Sequence, residues 1–150
     1  MKRRLLIADA DRAMAGLYNA YFSKAGYSVE TVSDSLACVS RLRRDLPDLL
    51  LLDQALPGGG GDEVLACLRE ECALTRIPVV VMTDLIPIHS LSRLTTPPVI
   101  RYLGKRCPFV TLRYCIDSAL ASALRRPQAA GPRTSMSVKL NRSPAGLAAR

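Results

Sequence analysis

A run of four consecutive leucines, Leu49 to Leu52, constrains the fold of this chain more than any other feature, and it ends at Asp53. A short, wholly apolar run with charged residues only at its ends is typical of a strand buried on both faces of a parallel sheet. In such sheets, ligands and reactive groups gather at the carboxyl ends of the strands. The run therefore predicts a buried strand that presents the Asp53 carboxylate at the edge of the sheet where chemistry takes place.

Four further apolar runs of similar length alternate with segments of helical periodicity. The runs are Leu5–Ala8, Tyr27–Val32, Val79–Met82 and Val99–Leu103. Apolar residues at helical spacing predict helices over Met14–Phe22, Leu36–Leu46, Val64–Cys72 and Leu112–Leu124. Gly26 is expected to stop the first helix, and Pro47 to end the second. This alternation implies a parallel sheet with right-handed crossovers and helices on both faces.

Two segments depart from the alternation. The interval between the fourth and fifth runs contains three prolines, so we expect only a short helix there, at Ile88–Leu94, with His89 on its surface. Residues 127–150 are rich in Pro, Gly, Ser, Ala and Arg, and they contain four basic residues and no acidic one. We therefore predict one folded domain at 3–126 and a disordered basic tail at 127–150.

Composition limits the classes of protein and of site. The hydrophobic content of 49% and the charged content of 23% are typical of a globular domain. No apolar run approaches the about 20 residues of a membrane span, and the stretch after Arg4 is too short for a secretion signal. We therefore expect a cytoplasmic protein without a membrane span.

The cysteines and the distribution of the charges argue against a zinc site, a disulfide framework and a nucleic-acid partner. The five cysteines include no C-x-x-C pair and accompany a single histidine, which argues against a zinc site or a disulfide framework. We expect most of the thiols to be buried. The net charge of +8 is interpreted as an aid to solubility, because aromatic residues do not interleave with the basic ones. No nucleic-acid partner is expected.

Polar side chains also follow three other predicted strands. Asp9 and Asp11 come after the first run, Thr83 after the fourth and Lys105 after the fifth. The carboxyl ends of these strands lie at one edge of the sheet, so the side chains should converge on Asp53. A carboxylate nucleophile, a cation-binding acid, a hydroxyl donor and a lysine are the groups that phosphoryl transfer requires.

The order and spacing of these residues resemble the receiver domains of two-component response regulators, over about residues 3–125. The matching segments are Leu5–Asp9, Gly26–Val29, Pro47–Asp53, Leu56-Pro57, Gly61-x-Glu63, Ile77–Thr83 and Tyr102–Lys105. The resemblance implies a flavodoxin-like (βα)5 three-layer α/β sandwich, with a parallel five-stranded sheet in the order 2-1-3-4-5. It also implies a signalling switch rather than an enzyme.

The resemblance assigns roles around the central carboxylate. Asp53 would accept a phosphoryl group from a histidine kinase or a phosphotransfer protein. Mg²⁺ would be held by Asp9, Asp53 and the backbone carbonyl of Ala55. Because no foldable segment follows residue 126, we expect a stand-alone receiver whose phosphorylated state is read by a separate downstream effector protein.

The resemblance also assigns the switch residues. Thr83 and Lys105 would contact the phosphoryl group. Tyr102 would change rotamer as the output switch, although a plain core position accounts for it almost equally well.

Two positions near the central carboxylate depart from the family pattern, and Arg106 stands after Lys105 where the family has proline. Receivers carry adjacent acids after the first strand, whereas Ala10 follows Asp9 in this chain. Asp11, one residue further, is interpreted as a helix N-cap in preference to a metal ligand. Because Mg²⁺ has strict octahedral needs and few protein ligands, we expect its binding to be weakened. Asp84 replaces the small residue that the family prefers after Thr83, and it adds bulk and negative charge.

These departures keep two alternatives open. The first is a pseudo-receiver, in which the same fold serves as a phosphorylation-independent protein-interaction module. The second is a phosphatase of the haloacid-dehalogenase type, which the segment Asp9-Ala10-Asp11 resembles. Asp9 would then be the nucleophile, and Asp11 would protonate the leaving group. The second alternative does not account for Leu56-Pro57 or for Gly61-x-Glu63.

Overall fold

Strands and helices alternate along the described chain, which in this computed structural model comprises residues 1–84 and 95–125. The strands are β1 (Arg4–Ala8), β2 (Ser28–Val32), β3 (Leu49–Asp53), β4 (Val79–Thr83) and β5 (Val99–Gly104). The helices are α1 (Arg12–Lys24), α2 (Ser35–Arg44), α3 (Gly60–Glu70) and α4 (Phe109–Arg125). The predicted short helix at Ile88–Leu94, with His89, and the predicted tail at 127–150 lie outside the described residues.

All five strands pair in parallel, in the order β2-β1-β3-β4-β5. The sheet order predicted from the sequence is therefore confirmed. The register aligns the carboxyl ends of the central strands, because Ala8 lies beside Leu52 and Thr83 beside Gly104. The residues at and just beyond these ends consequently share one edge of the sheet.

The sheet separates two apolar clusters, and β3 contributes to both. Leu49 and Leu51 pack on the side of α1 and α4, whereas Leu50 and Leu52 pack on the side of α2 and α3. Successive side chains of a strand point to opposite faces, so a strand covered by helices on both sides needs apolar residues at every position. This requirement explains the run of four leucines.

Backbone pairing at the start of β3 involves a second aspartate. The Asp48 carboxylate accepts a hydrogen bond from the Arg4 amide at 2.7 Å. In return, the Asp48 amide donates to the Arg4 carbonyl at 2.9 Å. The strand of leucines is thus bracketed by two aspartates, Asp48 before it and Asp53 at its end.

Several apolar residues whose spacing predicted the helices are exposed, and the predicted ends of α2 and α3, at Leu46 and Cys72, are wrong by two residues each. Leu36 is 77% exposed and Leu124 is 69% exposed, because both lie on helix faces that no element among residues 1–84 and 95–125 covers. Leu46 is exposed because α2 ends at Arg44 and Leu46 therefore lies beyond the helix. Pro47 disfavours the helical conformation at Leu46, the residue that precedes it. Cys72 is exposed because α3 ends at Glu70.

The prediction that most thiols are buried is also wrong. Cys38 and Cys115 are buried, Cys67 and Cys107 are half-buried, and Cys72 is exposed.

Within residues 1–84 and 95–125, no helix combines the length with the hydrophobicity that crossing a bilayer demands.

Candidate functional site

Four polar residues converge at the carboxyl edge of the sheet. Asp9, Asp53 and Thr83 are buried, with exposed fractions of 4%, 3% and 2%. The Lys105 ammonium donates to Asp53 Oδ2 at 2.6 Å and lies 3.6 Å from Asp9 Oδ1. The Lys105 amide donates to the Thr83 carbonyl at 3.2 Å, which joins the ends of β4 and β5. These four residues define the acid pocket.

Backbone amides orient the two carboxylates of the acid pocket. Asp9 Oδ1 accepts a hydrogen bond from the Asp11 amide at 2.9 Å. Asp53 Oδ1 accepts one from the Ala55 amide, also at 2.9 Å, which leaves Oδ2 to Lys105. Buried carboxylates need such partners to offset the loss of hydration. Each carboxylate is therefore held in one orientation by the turn that follows its own strand.

The charges in the acid pocket do not balance locally. Burial raises the pKa of the Asp9 carboxyl, and this effect outweighs the lowering by the Asp11 amide and by Lys105. Burial works against the charged form of Lys105, but its hydrogen bond to Asp53 and the nearby carboxylates raise its pKa overall. Two buried carboxylates thus share one ammonium, so the pocket favours a cation.

The two carboxylates of the acid pocket match the number that Mg²⁺ usually takes from a protein. Mg²⁺ is usually held by one or two carboxylates together with water and substrate oxygens. Asp9 and Asp53 provide two such carboxylates, and Ala55 lies in the turn that Asp53 itself anchors. Across the described part of the chain, no three acidic, His or Cys side chains cluster as a metal site.

Asp11 lies at the edge of the acid pocket and caps a helix. It is the N-cap of α1, and its carboxylate accepts from the amides of Ala13 at 3.0 Å and Met14 at 3.2 Å. Its side chain is exposed, in contrast to that of Asp9. The geometry agrees with the N-cap interpretation made from the sequence.

Asp84 and Tyr102 are the remaining predicted residues, and they differ in their relation to the acid pocket. Asp84 is exposed immediately after β4, and its negative charge contributes to the raised pKa of Lys105. Tyr102, in β5, lies beside Val81 of β4. Its side chain is half-buried and packs against the apolar cluster on the side of α2 and α3. This position is compatible with both roles predicted for Tyr102.

The glycines after β3 form a tight turn into α3. Gly58, Gly59 and Gly60 all have positive φ angles, of 84°, 109° and 77°. A Cβ on Gly61 would lie 3.0 Å from the Gln54 Cα and 3.1 Å from the Asp53 carbonyl oxygen. Three left-handed residues and one close approach account for the four glycines.

Sequence reasoning missed two polar groups in this region. Ser35 is buried at the start of α2, and its hydroxyl contacts carbonyls of the turn that follows β3. Gln54 Oε1 is buried and, within the described residues, makes no hydrogen bond. A serine at a helix start is an ordinary capping residue in any sequence, so no pattern marks Ser35 as a contact of this turn.

Comparison with protein families and curated proteins points in one direction. Residues 5–117 match the family model of the response regulator receiver domain. The chain is 35% identical over 85 residues to the response regulator PleD of Caulobacter vibrioides, a match that covers 57% of this chain and 19% of PleD. It is 27% identical over 88 residues to the DNA-binding response regulator MtrA of Mycobacterium tuberculosis, covering 59% of this chain and 39% of MtrA. The matched part spans less than half the length of these relatives.

Solved structures show the same fold. The N-terminal receiver domain of RstA from Klebsiella pneumoniae aligns with a TM-score of 0.68 at 26% identity, covering 79% of this chain and 98% of that domain. A CheY-like receiver domain protein from Methanospirillum hungatei aligns with a TM-score of 0.71 at 20% identity, covering 83% of this chain and 98% of the other. With its sheet order, its acid pocket and a family match over most of its length, this chain belongs to the receiver domain family of two-component response regulators.

Proposed function

We propose that this receiver domain accepts a phosphoryl group on Asp53 from a histidine kinase or a phosphotransfer protein. The supporting observation is the contact of Lys105 with both buried carboxylates, at 2.6 Å to Asp53 and 3.6 Å to Asp9. Such a set combines a nucleophile with a cation that can follow the transferred charge.

In the proposed reaction, Asp53 Oδ2 attacks the phosphorus of a phosphohistidine. The new P–O bond forms as the P–N bond breaks, and the leaving imidazole nitrogen takes a proton from solvent. The charge of the Asp53 carboxylate passes to the leaving nitrogen, where the proton neutralises it. The Lys105 ammonium and the Thr83 hydroxyl would then donate to the phosphoryl oxygens, which keep the negative charge that they had in the donor. Mg²⁺, when bound by Asp9, Asp53 and the Ala55 carbonyl, would supply further neutralisation of that charge.

The proposal includes how the signal leaves the domain. A downstream effector protein would recognise the phosphorylated state, with Thr83 and Tyr102 as the residues that change position. We place this exchange in the cytoplasm, on a receiver at 3–126 followed by a basic tail at 127–150. Deletion of 127–150 should leave the unfolding midpoint unchanged in a urea titration, and a clear loss would contradict this domain division.

Intact-mass spectrometry tests the phosphorylation directly. Incubation with a small phosphodonor and Mg²⁺ should add the mass of one phosphoryl group to the wild-type chain. Asp53→Asn should abolish the adduct. Asp62→Asn is the matched control, because it removes an exposed carboxylate in the first turn of α3 and should keep the adduct. A wild-type protein that stays unmodified would refute the proposal.

The pseudo-receiver remains the second candidate, and Ala10 and Asp84 favour it. A magnesium titration separates the two functions. Binding at millimolar concentration or below, lost in both Asp9→Asn and Asp53→Asn, would argue against the pseudo-receiver. The phosphatase alternative has no such support, because the Asp11 carboxylate caps α1 through two amides and the chain belongs to the receiver family.

A further inference from the structure

Ser35, at the start of α2, contacts the turn that follows Asp53. Its hydroxyl lies 3.0 Å from the Pro57 carbonyl oxygen and 2.9 Å from the Gly60 carbonyl oxygen. Its amide donates to the Pro57 carbonyl at 2.9 Å. Its side chain is fully buried, although serine is mostly exposed in proteins. One buried hydroxyl thus contacts two carbonyls of residues 54–60, here called the β3–α3 loop.

The β3–α3 loop is rich in glycine, so holding it in one conformation costs more entropy than for most loops of this length. Gly58, Gly59 and Gly60 each have a positive φ angle, and glycine loses more conformational freedom on folding than any other residue. The loop is closed by the Gly61 amide, which donates to the Gln54 carbonyl at 3.0 Å. This bond joins the ends of the loop, whereas the hydroxyl of Ser35 contacts Pro57 in its middle and Gly60 at its last residue.

The course of the β3–α3 loop bears directly on Asp53. The Ala55 amide donates to Asp53 Oδ1 at 2.9 Å, so the loop sets the orientation of that carboxylate. Gly61 packs against the Asp53 carbonyl, where a Cβ would come within 3.1 Å. A shift of the loop would therefore move Ala55 relative to the carboxylate that it orients.

We infer that Ser35 is a positioning residue of the acid pocket, whose hydroxyl holds the β3–α3 loop so that the Ala55 backbone stays beside Asp53. This inference rests on the proposed function, because the Ala55 carbonyl is one of the groups proposed to hold Mg²⁺. Ser35 itself touches neither the metal site nor the phosphoryl group.

Two measurements on Ser35→Ala test the inference. In the metal-free protein, amide hydrogen exchange measured by NMR should become faster at Ala55 and Gly61 and stay unchanged at Ile116 in α4. In a magnesium titration, the affinity should fall about tenfold, as is typical when a partner that orients a metal ligand is removed. Ser40→Ala is the matched control, since it removes an exposed hydroxyl from the same helix and should alter neither measurement.

Ser35→Cys is the second variant, because it keeps a side chain of similar shape with a weaker donor. It should shift both measurements in the same direction by a smaller amount. Wild-type values in Ser35→Ala for either measurement would overturn the inference and leave phosphorylation of Asp53 untouched. Faster exchange at Ile116 as well would show a general structural role and would also overturn it.

Failure of the inference and failure of the proposed function give different results. A wild-type protein that neither binds Mg²⁺ nor takes up a phosphoryl group would overturn both. A wild-type protein that does both, with a Ser35→Ala variant equal to it, would overturn the inference alone.

Discussion

At the scale of single residues, Lys105 supplies the ammonium that contacts both buried carboxylates of the acid pocket. Its ammonium is shared by two buried carboxylates, so Lys105→Met leaves both without this cation. We expect the free energy of unfolding to fall by about 2 kcal/mol, less than for a fully buried ion pair because Lys105 is partly exposed. Urea denaturation without Mg²⁺ measures this loss. Lys2→Met, at the exposed amino terminus, is the control, and an equally small effect of both substitutions would contradict the prediction.

Asp9 should destabilise the metal-free protein at neutral pH. Burial raises the pKa of its carboxyl in the folded state, so ionised Asp9 weakens the fold above its folded-state pKa. That penalty disappears as the pH falls below the unfolded-state pKa, because the carboxyl is then protonated in both states. Asp9→Asn should therefore raise the free energy of unfolding at pH 7, with a gain that shrinks as the pH falls. A gain that is constant with pH, measured by urea denaturation without Mg²⁺, would disprove this explanation.

The sequence predicted which residues meet in the acid pocket, but not how they touch. Asp9, Asp53, Thr83 and Lys105 could be identified because each follows an apolar run that marks a strand end. The contact of Ser35 with the β3–α3 loop could not be identified, because it depends on the path of a glycine-rich turn whose φ angles no spacing rule predicts.

Within the helices, the N-cap of α1 provides a test of the role of Asp11. Asp11→Ala removes two hydrogen bonds to amides of the first turn and should lower the free energy of unfolding by about 1 kcal/mol. Asp34→Ala, which removes the N-cap of α2, should have a comparable effect. The affinity for Mg²⁺ should stay unchanged in Asp11→Ala. A marked loss of that affinity in a titration would identify Asp11 as a metal ligand instead.

Two glycines at different points of helices should respond oppositely to alanine. Gly16 lies exposed within α1, with nothing within 4 Å of an added Cβ. Gly16→Ala should raise the free energy of unfolding by about 0.5–1 kcal/mol through helix propensity. Gly61→Ala should lower it by about 1–3 kcal/mol, because its Cβ would press on the backbone of Asp53 and Gln54. Chemical denaturation measures both, and a stabilising Gly61→Ala would contradict the packing at this point.

Helices were predictable in number and kind for the described segments, but their ends were not. Apolar spacing extended α2 to Leu46 and α3 to Cys72, whereas the helices end at Arg44 and Glu70. Spacing alone cannot show where the backbone leaves the helical conformation, because an apolar residue just beyond a helix fits the same period. Exposed apolar residues on a helix, such as Leu36, mislead in the same way.

The architecture of the whole molecule was more predictable than its details. Five apolar runs, each matching a strand to within a residue or two, determine a parallel sheet once helices separate them. The strand order came from the resemblance to receivers, since alternation alone permits several orders. The division of the core into two clusters follows from that order, because β1, β3 and β4 are covered by helices on both faces.

The uniform composition of β3 has a consequence for strand alignment. In most strands, sliding by one position would turn apolar groups outward, and this penalty enforces the correct pairing. Sliding β3 would merely exchange one leucine for another, so its interior cannot distinguish the two alignments. The two aspartates that flank the leucines do distinguish them. A shift of the strand would move Asp48 into the apolar core or move Asp53 away from Lys105. The carboxylate proposed to accept the phosphoryl group thus also fixes the register of the strand that carries it.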